Sequence, residues 1–451
     1  MTSRYCVVGG GISGLVASYL IRSQLGSQAS ITLFDPADRL GGVLRTTTLA
    51  GQPVDVGAES FLVRRPEVPV LLAELGLADR QISTTGVQST IYSQGRLHPI
   101  PSPAINGIPA GPTPMLGLVD QDTLDQIAAE CNRRMEWQPG CDPAVATVVG
   151  ERFGTQVVNR SVDPMLSGVY AGSAASIGMR SAVPTVTAAL DSGAPTLTAA
   201  VRSVLPNGPG GPVFGALAGG YQILLDALTN RAGAQWVPAA VRDITAEGAG
   251  WTLTDETGRT WPADAVVMAV PAPQLATLLA GAAPGAAAAA ARIPVASSAV
   301  LAMALPPDTV LPEQSGVLVA SSETLHAKAI TLTTRKWGGR GRAELLRFSF
   351  GRFGDTLARS TSDEQLTDWA LADLEAVFAV RARPEDLVVQ RWIDAMPQYA
   401  PGHADLVATL RAQLPATLVV GGSYLDGIGV PACVSAARRA VATLLAGSSQ
   451  G

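Results

Sequence analysis

Histidine and cysteine are scarce in this 451-residue chain, with three of the first and four of the second. The cysteines are Cys6, Cys131, Cys141 and Cys433; no two form a CxxC pair and no histidine cluster accompanies them. A disulfide framework and a zinc site both need such groupings, so the four read as free, buried thiols of a reducing compartment. The histidines, His98, His326 and His403, belong to no recognisable catalytic triad, so no dedicated strong base is legible. Charged residues make up only 15%, the formal net charge is −5, and no basic block is present. That pattern excludes nucleic acid as a partner. No window offers about 18 uninterrupted apolar residues, so no membrane-spanning helix is expected. The opening "MTSRYCVV" has no charged region before an apolar stretch, unlike a secretory leader.

What is present is a large apolar inventory, 47% of the chain. A chain of this length forms two or three domains with substantial cores. "RYCVVGG" reads as a buried parallel strand running into glycine, "ISGLVASYLIRSQL" has helical period, and "ASITLF" is a second strand closed by Asp35. Gly9-x-Gly11-x-x-Gly14 therefore sits between a strand and a helix, with an acidic residue about twenty positions on, which is the dinucleotide fingerprint in its required context. Gly9 permits the tight turn, Gly11 lets backbone approach a pyrophosphate, and Gly14 lets helix and strand pack. The helix start at Gly10, Ile12 and Ser13 offers backbone N–H groups to phosphate, and Asp35, followed by Pro36, would accept hydrogen bonds from a ribose.

The middle of the chain reads as a helix from about residue 222 to 230 and then a strand, followed by strands with turns at 248–250 and 258. Residues 101–212 carry helical stretches such as "DTLDQIAAECNRRM", broken by Pro and Gly. The alanine run at 286–291 reads as a surface helix. Near the end, "ATLVVGGS" is a strand closing on glycines. "DGIGVPACVSAARRAVATLLAG" is a glycine loop, Pro431 in a first helical turn, then a helix to a glycine stop. Tails are ordinarily loose, so a tight Gly–Gly–Pro loop here needs a reason.

Several stretches carry a family resemblance. "RLGGVLRT" resembles the double-glycine motif of the amine-oxidase-like flavoproteins, and "VDVGAESF" continues it. "YLDGIGVPAC" resembles the C-terminal flavin segment of the FAD-dependent protoporphyrinogen and coproporphyrinogen III oxidases. "GRLHPIP", "LSGVYAGS", "RKWGGR" and "RWIDAMPQYAPGHADLV" resemble stretches that line the substrate pocket in that family. Two departures stand out: Val43 follows the glycine pair where many relatives have a basic residue, and Ser173 stands where the family usually has Asp.

The resemblance spans nearly the whole chain and implies an α/β fold. A Rossmann-like FAD-binding domain would comprise residues 1–75, 215–275 and 400–451, a mixed-sheet substrate domain 76–100 and 276–399, and a helical domain 101–214. FAD would be held by the glycine turn, by Arg39, Gly41, Gly42 and Val43, and by Gly57, Ala58, Glu59 and Ser60 against the flat ring. Val241 would pack on the adenine and Trp392 near the flavin. Gly422, Asp426, Ile428, Gly429 and Val430 would lie at the pyrimidine edge, where a helix N-terminus stabilises reduced flavin. Arg64 and Arg65 are candidates for substrate carboxylates, and Val169, Tyr170 and Ala171 for the pocket, with a backbone carbonyl among them as a proton acceptor. Most similar are the soluble bacterial coproporphyrinogen III oxidases of haem biosynthesis. The implied activity is six-electron oxidation of a porphyrinogen by dioxygen through FAD, with three hydrogen peroxide released. The implied setting is the cytoplasm, free or at the membrane periphery, as monomer or dimer, with a ferrochelatase downstream. Protoporphyrinogen IX oxidase, flavin amine oxidase, a carotenoid-type desaturase and a non-catalytic binding protein on the same scaffold remain the alternatives.

Overall fold

The computed structural model describes residues 2–206, 211–339 and 342–448. Arg340, at the end of the "RKWGGR" stretch, lies outside them. The first strand, Ser3–Val8, is central in a five-stranded parallel sheet. It pairs with Ala29–Phe34 on one side and Ala265–Met268 on the other. Gln235–Val237 closes one edge and Leu418–Val420 the other. Both faces are covered, which is why these strands read as continuous apolar runs rather than alternating ones. On one face the helix Ile12–Leu25 packs with Gln222–Ala232 and with the C-terminal helix Val430–Ser448, around Leu15, Val16, Ile21, Leu224, Val434 and Val441. On the other face Val8, Phe34, Trp251, Leu253, Met268 and Leu275 form a second core.

A second, seven-stranded mixed sheet is built around the long strands Val295–Leu305 and Asp386–Pro397, which pair antiparallel with a register shift between Ala296 and Ser298. Its far edge is the hairpin Ser89–Ser93 and Arg96–Pro99. A helical region with its own core (Val149, Phe153, Val162, Leu166, Val186 and Val201 among others) packs beside this sheet. Inside it, the buried Glu130 carboxylate accepts from Arg152 (2.9 Å) and from the backbone N–H groups of Leu197 and Thr198, capping the helix Leu197–Ser203.

Three expectations are corrected. The alanine run forms the helix Pro284–Ala291, but Ala286, Ala287, Ala289 and Ala290 are buried, so it is a core helix, not a surface one. Small side chains let it approach its neighbours closely. The helix expected over "DTLDQIAAECNRRM" ends at Glu130, where that carboxylate turns inward. Cys6 and Cys433 are buried free thiols, but Cys131 is exposed and Cys141 half-buried.

Candidate functional site

Four glycine-bearing segments meet at the carboxyl ends of the parallel strands, where open α/β sheets place ligands. The turn after the first strand is tight: a methyl group on Gly14 would lie 1.9 Å from the Gly9 carbonyl oxygen, so only glycine lets this helix sit on this strand. Asp35, at the end of the second strand, accepts from the Gly10 N–H (2.7 Å) and from the Ala37 N–H (2.9 Å), fixing the turn and leaving carboxylate lone pairs free. Pro36 beside it is exposed. The double-glycine segment lies alongside, with Gly41 N–H donating to the Gly10 carbonyl (2.8 Å). The two backbones form a bridge at Gly11 and Gly41, and a methyl group on Gly42 would lie 3.1 Å from the Gly11 Cα, whereas one on Gly11 would meet only the Gly42 Cα, at 3.9 Å, so the trough is the open side of Gly11. The Arg39 guanidinium donates to the carbonyls of Leu40, Gly42 and Leu44, so it shapes the loop. Burial, with Arg45 nearby, lowers its pKa.

The third segment packs on the second. Ala58 N–H donates to the Val43 carbonyl (3.3 Å), and a methyl group on Gly57 would fall 1.8 Å from that oxygen. Trp392 closes over Gly57 and donates its indole N–H to the Val56 carbonyl (2.9 Å). Glu59 is clamped by Lys336 Nζ (2.8 Å), the Trp337 indole N–H (2.8 Å) and Arg347 (3.1 Å). Burial alone would raise its pKa, but the two cations and these hydrogen bonds hold it down to about 2. Arg347 also donates to the Gly57 carbonyl (2.7 Å). Ser60 follows, half-buried.

The tail supplies the fourth segment. The C-terminal helix packs against the first helix so that their N-termini sit together: Ser13 Oγ lies 3.5 Å from the Cys433 carbonyl, and a methyl group on Gly421 would touch Ser13. Neither helix has an acidic residue in its first turn, so both starts present uncompensated backbone N–H groups. The Tyr399 hydroxyl spans the tail loop, donating to the Ser423 carbonyl and accepting from Gly427 N–H (2.9 Å). Ile428 and Gly429 lie on this loop before Val430, which begins the helix. Asp426 is engaged by Arg411 and Arg439 on the outer side of the loop. Val241 is buried in the core that also holds Val8 and Phe34, beside the glycine turn and Asp35.

The pocket candidates are tied to the same frame. The helix Asp163–Tyr170 ends at Ala171, whose positive φ of 51° stops it and leaves carbonyl groups at its end. The Gln398 amide donates to the Tyr170 carbonyl (2.7 Å), and the Tyr170 and Tyr399 rings lie 5.7 Å apart. Val169 is 51% exposed. The arginine pair is less closely tied: Arg65 is paired with Glu67 (2.5 Å) and Arg64 is exposed. Gln398, Tyr399, Lys336 and Arg347 are structural partners of the site that residue-by-residue reading passed over. The first two lie in the "PQYAPGH" stretch, which was the available signal.

The donor set fits a flavin dinucleotide: two helix N-termini and a glycine trough for pyrophosphate, Asp35 for ribose, and a flat backbone bed at Gly57–Trp392 for a ring system. Comparisons with known proteins agree. The model of the flavin containing amine oxidoreductases matches residues 12–445. The chain is 61% identical over 446 residues to coproporphyrinogen III oxidase of Mycobacterium tuberculosis, covering 99% of this chain and 98% of that one. It is 26% identical to coproporphyrinogen III oxidase of Bacillus subtilis, over 97% of each chain. A crystal structure of a candidate protoporphyrinogen oxidase from an Exiguobacterium species superposes with a TM-score of 0.88 at 27% identity, covering 98% of this chain and 99% of that one. The chain is an FAD-dependent oxidoreductase that belongs to the flavin containing amine oxidoreductases and, within them, to the coproporphyrinogen III oxidase group.

Proposed function

We propose that this enzyme oxidises coproporphyrinogen III to coproporphyrin III. The observation that carries the reading is the continuity of one wall. The strand that sets Trp392 over Gly57 runs on to Gln398 and Tyr399, which hold the Tyr170 carbonyl and the tail loop. The bed for the ring and the end of the Asp163–Tyr170 helix are thereby fixed relative to each other. The 61% identity to the mycobacterial enzyme supports the choice of substrate.

Held by the glycine turn, Asp35 and the Gly57–Trp392 bed, FAD would supply a two-electron acceptor; removing six electrons from the macrocycle would take three rounds, with dioxygen as final oxidant and three hydrogen peroxide released. The chain's own part is positional. The two helix N-termini place positive backbone dipoles at the trough and favour negative charge there. Residues 169–171 turn the carbonyl end of a helix toward the pocket. A pyrrole N–H made acidic by loss of a hydride from the neighbouring carbon would hydrogen-bond to a carbonyl at this helix end and release its proton to water, so no strong base is needed. Arg64 and Arg65 are the sequence-derived candidates for substrate carboxylates, Arg65 being already paired with Glu67. No helix among the described residues is long and apolar enough to cross a membrane. We place the enzyme in the cytoplasm, handing its product to a downstream chelatase.

The purified protein is expected to be yellow. Anaerobic addition of coproporphyrinogen III bleaches the flavin bands as porphyrin fluorescence appears. Faster turnover of protoporphyrinogen IX would overturn the substrate assignment, and peroxide formed from amines but not from porphyrinogens would overturn the reaction class.

A further inference from the structure

The wall carrying residues 169–171 also holds two cations that the reading above leaves unused. Phe353 N–H donates to the Ala171 carbonyl (2.6 Å), docking the turn at 351–355 onto the pocket segment. Phe353 is 39% exposed and, with Val169, offers an apolar surface beside this junction. Arg352, its neighbour on the turn, is half-buried, and its guanidinium makes no hydrogen bond or ion pair to a described residue. Behind it lies Lys328, only 3% exposed. Lys328 Nζ has three protons to donate and one acceptor, the Gly351 carbonyl at 2.6 Å. Its backbone is pinned on both sides, the N–H to Ser349 and the carbonyl to Val319 N–H.

The acids nearest this pair, Asp163 and Asp355, act on Arg352 through their charge, and Asp355 on Lys328 as well, but no hydrogen bond or ion pair joins them to either cation's side chain among the described residues. Asp163 accepts from Ala174 N–H (2.6 Å) and Ser321 Oγ (3.0 Å). Asp355 accepts from the N–H groups of Arg352 (2.6 Å) and Leu357 (3.1 Å). Burial, with Arg352 adding repulsion, lowers the Lys328 pKa to about 7, and burial lowers that of Arg352 as well. Two neighbouring, partly desolvated cations whose nearest carboxylates make no direct contact with them gain from an anion that does. The site is also close to the flavin bed: a methyl group on Gly351 would lie 2.9 Å from the Ser297 carbonyl and 3.3 Å from the Ser298 Cα, and Ser298 is the register partner of Trp392.

We propose that the turn at 351–355 is a carboxylate subsite of the substrate pocket, in which Arg352 contacts a side-chain carboxylate of the tetrapyrrole. Lys328 acts through the turn, holding the Gly351 carbonyl and adding positive charge from behind. The subsite deepens the porphyrinogen reading and rests on it. It favours a macrocycle with four carboxylates over one with two, because more of its orientations bring an acid to Arg352.

The test uses the FAD-loaded protein titrated with coproporphyrin III and, separately, with its tetramethyl ester, followed by porphyrin fluorescence. Arg352→Gln weakens the free acid about tenfold, the loss of one charge-assisted hydrogen bond, and leaves the ester within about twofold. In the unsubstituted protein the affinity for the acid falls as pH rises from about 7 to about 9, because Lys328 loses its proton there, while that for the ester stays level. This slope tests Lys328 even if Lys328→Met does not fold; where it folds, the slope disappears. If the unsubstituted protein binds the acid and Arg352→Gln binds it equally well, or weakens acid and ester together, the subsite is overturned and the porphyrinogen reading stands. If the unsubstituted protein binds neither compound, both fall.

Discussion

Glu59 and Asp55 stand four positions apart and carry opposite shifts. Glu59 is held down to about 2 against the opposing effect of burial, by Lys336 and Arg347. Asp55 is pushed up to about 6, chiefly by burial, although it accepts from Thr46 Oγ and from Tyr221 N–H at the start of a helix. A depressed acid stabilises the fold at every pH above its unfolded value and loses that stabilisation as pH falls toward the folded value. Glu59 therefore contributes about 3 kcal/mol at neutral pH, lost between about pH 4.5 and about pH 2. A raised acid behaves in reverse: ionised Asp55 costs up to about 3 kcal/mol at neutral pH, and the cost fades as pH falls from about 6 toward about 4. Denaturant melts across pH are expected to place maximum stability near about pH 5, with Asp55→Asn removing the rise from neutral pH and Glu59→Gln costing about 3 kcal/mol at pH 7. A flat profile from pH 7 to 5 in the unsubstituted protein would contradict this. Gly57→Ala pushes a methyl group into the Val43 carbonyl. Flavin content after purification should fall at least about tenfold, as expected for a disturbance of more than about 1.4 kcal/mol at the bed.

Among the elements, those with a strong local pattern were legible and those defined by partners were not. The strand–glycine–helix start showed itself because buried parallel strands are uniformly apolar and the turn demands glycine at fixed spacing. The tail helix showed itself through its glycine loop and Pro431. The alanine helix misled, since alanine carries no contrast between a wet and a dry face and its burial is decided by what packs on it. Gln398 and Tyr399 were readable as part of a distinctive stretch, but their hydrogen bonds arise from where a long strand ends, which no local periodicity encodes. The same holds for Lys328, which looks like any strand-end lysine until its burial is seen. The alanine helix yields a direct check: Ala290→Leu, at a position 0% exposed, overfills the core and lowers stability by about 1–3 kcal/mol, whereas Ala288→Leu, on the exposed side, changes it by less than about 0.5 kcal/mol. Equal effects in thermal or denaturant melts would mean that the helix does not sit in the core.

Across the whole molecule, the first and last described helices pack into one core. Ser13 and Cys433 are 420 positions apart yet touch, and the flanking helices share a core. Ligands that bind only the folded state stabilise it by mass action, about 2.7 kcal/mol at a hundredfold excess over Kd. Adding FAD to stripped protein should therefore slow amide exchange in the first and last helices together, as one unit. Protection of one without the other would separate them. The placement of Leu418–Val420 as an edge of the parallel sheet has a biosynthetic corollary. A nascent chain has neither this edge strand nor the second of the two helix starts at the trough until residues 418–430 have left the ribosome. A fragment ending before residue 418 is therefore expected to purify without flavin, which its visible absorbance checks, and a polypeptide that holds no flavin has no group to pass electrons to oxygen.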